Sequence, residues 1–150
     1  MLGAEPGARV AELAQHWAKA TTAVDIPKAI FYARLAGERA LSELAPDEAL
    51  RWFSQALDLD AQRSDRDAAE RCDLLIGLGE AQRQAGEPGF RETLLEASRV
   101  ALELGDADRA AAAALANNRG MQSVFGEVDE ERIAALERAL DLDGLRNPAR

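Results

Sequence analysis

A second cysteine is missing, so Cys72 has no partner for an internal disulfide, and a lone thiol fits a reducing compartment. Lysine is nearly absent. Lys19 and Lys28 are the only two, and the other basic side chains are arginine. With a formal net charge of −9, the chain repels phosphate backbones, which argues against direct nucleic-acid binding. No apolar run approaches membrane-spanning length, and no positively charged start leads into an apolar signal segment. The expected location is the cytoplasm, with no membrane partner. Neither a Gly-x-x-x-x-Gly-Lys-Ser/Thr phosphate loop nor a basic helix-turn-helix candidate is present.

Catalytic groups are equally scarce. His16 is the only histidine, and Glu12 stands one turn before it. One imidazole and one carboxylate are too few ligands for a zinc site, so no metal or other cofactor is expected. Arg71 beside Cys72 could lower the thiol pKa, but nothing fixes His16 near it, and a structural thiol is the better reading. Glu130 and Glu131 could be drafted as acid and base. They sit at a helix start, where complementation of the helix dipole explains them. The chain reads as a non-enzyme.

What is present is alanine, at helical spacing. Aromatic residues make up 5% of the chain and hydrophobic residues 47%, so the apolar content is carried largely by small side chains. Alanine favours helix and lets helix backbones approach closely. A length of 150 residues suits one domain with a real core. Helices are expected from about Gly7 to Ala20, from a cap at Asp25 through Pro27 to about Leu44, and from Pro46 to near Leu59. Asp60 to Asp65 reads as a polar turn. Ser64 or Asp65 caps the next helix, which runs to Ala85 and stops at Gly86. The Gly86-Glu87-Pro88-Gly89 turn leads into a helix ending at Leu104, before Gly105. Asp106 caps a helix to about Phe125. Asp129 caps the last one, which ends near Leu142, before Gly144, with a loose tail carrying Pro148.

These helices pair. Residues 33 to 56 carry Ala33, Ala36-Gly37 and Ala40 on one helix, then Ala49, Phe53 and Ala56 on the next. The spacing resembles that of a helical-hairpin repeat, in which small residues meet where the helices cross and a large apolar residue forms the wedge. Leu13, Trp17 and Ala20 repeat the spacing of Ala49, Phe53 and Ala56, as the second helix of a repeat whose first is missing. Gly37, Gly79 and Gly120 recur 42 and 41 residues apart. The second helices end alike, in Ala56-Leu57-Asp58-Leu59, Ala101-Leu102-Glu103-Leu104 and Ala139-Leu140-Asp141-Leu142. From glycine to that alanine the separation is 19, 22 and 19, so about three extra residues are expected in the middle turn. Leu136 fills the wedge position of the last pair, and Leu95 or Ser98 that of the middle one. The alanine run from Ala110 to Ala114 reads as a packing seam, and Trp52 as a half-exposed contact between repeats.

This pattern resembles the tetratricopeptide repeat (TPR), in a variety with helices longer than the usual period of roughly 34 residues. It departs from that motif at Ala61, where a proline would end the repeat, and at Arg132, which occupies a small-residue position. The resemblance implies an all-α, right-handed stack of antiparallel helix hairpins with about seven helices. Half a repeat (7–20) would precede hairpins at about 26–59, 66–104 and 107–142 in a single domain. A chain that begins with half a repeat is expected to be a piece of a longer one.

Two further stretches sharpen the likeness. One is Ala11-Glu12-Leu13-Ala14-Gln15-His16-Trp17 with Ala33-Arg34-Leu35-Ala36-Gly37-Glu38-Arg39-Ala40. The other is Ala116-Asn117-Asn118-Arg119-Gly120 with Gly126-Glu127-Val128-Asp129-Glu130-Glu131-Arg132. They resemble the TPR region of large actinobacterial regulators. Those are signal-transduction ATPases that end in a LuxR-like DNA-binding domain or are joined to a cyclase-like domain. The resemblance implies a module that senses a protein or peptide partner, or a small-molecule inducer, and relays it to neighbouring domains. A scaffold that assembles protein partners, or the regulatory segment of a signalling enzyme, are the alternatives.

In such a stack the first helices line the concave side. Arg34 and Glu38, Ile76 and Glu80, and Asn117 and Met121 share that lining, with Arg83 one turn beyond Glu80. They form either a mixed polar groove or a solvated face on which Glu80 and Arg83 make an ordinary surface ion pair. Ile133, Leu136 and Leu140 on the last helix have no following repeat to cover all of them, so self-association through that end is also expected.

Overall fold

The computed structural model describes residues 6–18, 26–117 and 130–146, with side chains for 9–16, 26–117 and 130–144. Among the described residues all regular structure is helical, in seven helices: α1 (Pro6–Ala18), α2 (Ile26–Ser42), α3 (Pro46–Ala61), α4 (Ala68–Ala85), α5 (Phe90–Leu104), α6 (Ala107–Ala116) and α7 (Glu130–Arg146). No described helix is long and apolar enough to cross a membrane. The chain divides into two compact units, Met1–Asp67 and Ala68–Arg150.

In the first unit α2 packs on both α1 and α3. The buried stripe of α2 is Ala29, Ile30, Ala33, Ala36, Gly37 and Ala40, and that of α3 is Ala49, Trp52, Phe53, Ala56, Leu59 and Asp60. Both follow helical periodicity, so two small-residue faces meet. Gly37 is indispensable to the fit, because a Cβ there would lie 2.8 Å from the Phe53 ring. Leu44 N–H donates to Leu41 O (3.1 Å) and Ala45 N–H to Ala40 O (2.9 Å), closing α2 in the Schellman pattern. Leu44 takes the left-handed position with φ 57°. The helix therefore stops at Ser42, short of the expected Leu44.

α3 overruns its expected end. Asp60 is fully buried rather than part of a turn, because it lies one helical turn beyond Ala56 on the packed face. Arg66 then turns back on the helix end, donating to the carbonyls of Ala61 and Arg63 (3.3 Å to the latter). A guanidinium there complements the negative end of the helix dipole.

In the second unit α4 and α5 form a pair, α6 contacts both, and α7 contacts α5 and α6. The buried residues of α4 (Cys72, Leu74, Leu75, Gly77, Gly79 and Ala81) spread around the helix, as befits an element packed against two others. A Cβ on Gly79 would lie 2.5 Å from Leu94 Cγ. The wedge of this pair is therefore Leu94, not Leu95 or Ser98. Phe53 follows Gly37 by 16 positions and Leu94 follows Gly79 by 15, so the second pair has no three-residue insertion before its wedge. The tail motif misleads because Ala97, not Ala101, stands three residues after the wedge as Ala56 does.

Gly86 and Gly105, with φ of 77° and 67°, end α4 and α5 where the sequence places them. α4 starts at Ala68, so neither Ser64 nor Asp65 stands next to its first residue. Asp65 accepts instead from Arg63 Nε (3.4 Å). α6 ends at Ala116, well before Phe125. Asn117 leaves the helix at ψ 53°, consistent with the preference of asparagine for local hydrogen bonding outside helices. α7 passes its expected end near Leu142 and runs through Gly144 to Arg146. The proposed caps Asp25 and Asp129, the glycine at 120 and the residue at 20 lie outside the described residues, as does the Trp17 side chain.

Candidate functional site

The expected groove residues divide between the two units. Arg34 and Glu38 form an i,i+4 ion pair (3.4 Å) on α2, in the first unit. Ile76, Glu80 and Arg83 share one face of α4, in the second. Arg83 reaches Glu80 at 3.8 Å, a long i,i+3 contact with both side chains partly exposed. Its Nε is buried without a hydrogen-bond partner. Asn117 is 4% exposed at the end of α6, which makes it a packing residue. Met121 lies outside the described residues.

Polar chemistry in the second unit centres on Arg109. Its Nε and Nη2 grip Asp73 of α4 at 2.8 and 2.9 Å, and Nη1 meets Asp106 at 2.5 Å. Asp106 also caps α6 by accepting from the Arg109 backbone N–H (3.0 Å). That backbone bond, followed by the guanidinium contact, holds the Asp106 carboxyl below its usual range. The two carboxylates in turn raise the Arg109 pKa. Arg71 pairs with Glu96 (3.0 Å) and Arg91 with Glu131 (2.6 Å), tying α4 to α5 and α5 to α7.

Cys72 departs from the reactive-thiol option. Its Sγ donates to Ala97 O (3.3 Å) in the helix seam. Burial, with Asp73 adding to it, pushes the thiol up to about 11. Arg71, which could have lowered it, is engaged with Glu96. Glu12 and His16 are exposed on α1. Among the described residues no three His, Cys, Asp or Glu side chains gather as a metal site would need.

The first unit holds an open groove that shares no residue with the expected lining. Gln15 of α1 lines it, opposite Arg51, Ser54, Gln55 and Asp58 of α3, with Leu50 and Trp52 alongside. Residues 51, 54, 55 and 58 follow the helical i, i+3, i+4, i+7 rule, so they form one polar stripe. The same periodicity that marks the buried Ala49-Phe53-Ala56 face could have located it. The stripe lies on α3, the second helix of its pair, whereas the expected concave lining draws only on first helices. Trp52 is 4% exposed rather than half exposed, and its Nε1 donates to Glu48 Oε1 (3.4 Å).

No protein-family model matches the chain, and no curated protein or solved structure matches it either.

Proposed function

We propose that this chain is a non-catalytic module for protein interaction and effector sensing, of the kind carried by bacterial ATP-dependent transcriptional regulators. The observation that carries the reading is the shared chemistry of two helix pairs. Gly37 lies under Phe53 and Gly79 under Leu94, each with room for no more than a hydrogen. That is the joint a TPR-like hairpin needs, and stacked hairpins offer faces for binding rather than for bond-breaking. The buried, protonated Cys72 supports the same reading, since it removes the one nucleophilic thiol from chemistry.

The test is to read the coding DNA on both sides of the segment. The expected result is an upstream phosphate loop and a downstream basic helix-turn-helix. Stop codons on both sides would replace this reading with the second one, a scaffold that assembles partner proteins. The observation favouring a scaffold is the outer face of α7, where Ile133 and Leu140 are 44% and 70% exposed.

A further inference from the structure

The groove between α1 and α3 carries two opposite charges that no other described side chain of the first unit uses. Most arginines among the described residues are in ion pairs, including Arg34, Arg39, Arg63, Arg71, Arg83, Arg91 and Arg109. Arg51 and Asp58 make no side-chain hydrogen bond or ion pair among the described residues, yet both line the groove. They stand seven residues apart on one stripe of α3, a rise of about 10 Å between their Cα atoms. An extended chain of three residues spans about the same length, at roughly 3.3–3.6 Å per residue. Between the two charges lie Ser54 and Gln55, with Gln15 opposite. A hydroxyl and two carboxamides can each donate and accept, as a peptide backbone requires.

We infer that this groove binds a short peptide with both ends free, about three residues long, its carboxylate on Arg51 and its ammonium on Asp58. The guanidinium fork suits a carboxylate, and a carboxylate suits an ammonium with three donors. Leu50, half-buried in the groove lining, offers the central side chain apolar surface. The site lies outside the expected concave lining, because it is built from α1 and α3 and uses none of the residues assigned there.

The inference rests on the effector-sensing reading for the ligand's role, but its test does not depend on flanking sequence. The full chain would be titrated with Ala-Leu-Ala, followed by amide chemical shifts in NMR. Saturable shifts confined to residue 15 and residues 50–58 are the expected result. Acetylating the amine or amidating the carboxylate should each weaken binding about fivefold, the size of one exposed ion pair. In Arg51→Gln the free acid and the amide should bind alike, and in Asp58→Asn the free and acetylated amines should bind alike. Both positions are exposed, so the folded state of each variant is checked by its unchanged spectrum elsewhere. Absence of saturable binding, shifts elsewhere, or end-group penalties that persist in both variants would overturn the site. Such a failure leaves the flanking-gene test of the wider reading untouched, and stop codons there would not alter a measured peptide affinity.

Discussion

Leu44 occupies a backbone position that glycine fills at the ends of α4 and α5. Its φ is 57° and its side chain is 80% exposed, so it gains little from packing in exchange for the strain. Leu44→Gly is therefore expected to stabilise the first unit by about 0.5–1 kcal/mol, read as a raised thermal midpoint. Gly79 presents the opposite case. An added methyl meets Leu94 Cγ, near the root of a fully buried side chain that cannot swing aside. Gly79→Ala should cost about 1–3 kcal/mol from overpacking, against a helix-propensity gain of about 1 kcal/mol. Denaturant unfolding of Gly79→Ala, Leu94→Ala and the double variant checks this, with the double variant markedly less unstable than the sum. The Cys72 thiol should resist a disulfide reagent at neutral pH in the native chain and react on denaturation, since it is buried and its pKa lies near 11.

α6 shows how a helix of alanines acquires a fixed position. Alanine alone gives no directional contact, so Arg109 supplies it by joining Asp73 on α4 to the cap residue Asp106. The Asp106 carboxyl is held below its ordinary pKa of 3.8. A lowered folded-state pKa means that its contribution is full above that ordinary value and is lost as pH falls through the folded one. Stability should thus drop on acidification below about pH 4, and Asp106→Asn should flatten that part of the profile in pH-dependent melts. Helix ends marked by glycine, at Gly86 and Gly105, were legible because the left-handed residue is written in the sequence. The end of α3 was not. Asp60 reads as a turn residue, and only the position of the packed face, set by Phe53 and Ala56, carries the helix past it. The wedge in the second pair, Leu94, is hidden for a related reason. A repeated Ala-Leu-Glu-Leu string is not a contact, and the steric fit at Gly79 selects Leu94.

At the scale of the whole chain the two units each have their own core. The second is closed by contacts from within itself, through the Gly79–Leu94 fit and the ion pairs Arg71–Glu96, Arg109–Asp73 and Arg91–Glu131. Residues 68–150 expressed alone are expected to be helical by circular dichroism and to melt cooperatively. A non-cooperative, largely unfolded fragment would show that its core depends on the first unit. The site was less legible than the fold. The Glu80–Arg83 pair on α4 is legible from its spacing, but Arg51 and Asp58 emerge as a site only once α1 supplies Gln15 to the groove. Sequence periodicity finds a helix face, whereas a groove needs a neighbour.

The close approach at Gly79 also constrains how this sequence can vary. A glycine with a rigid side chain pressed against it is one unit of inheritance made of two positions. Relatives that carry alanine at the position of Gly79 would need a smaller residue at that of Leu94, and those with an aromatic wedge would need to keep the glycine. The same covariation is expected between the positions of Gly37 and Phe53. It gives an alignment of relatives a way to find the helix pairs without any conserved side chain at all.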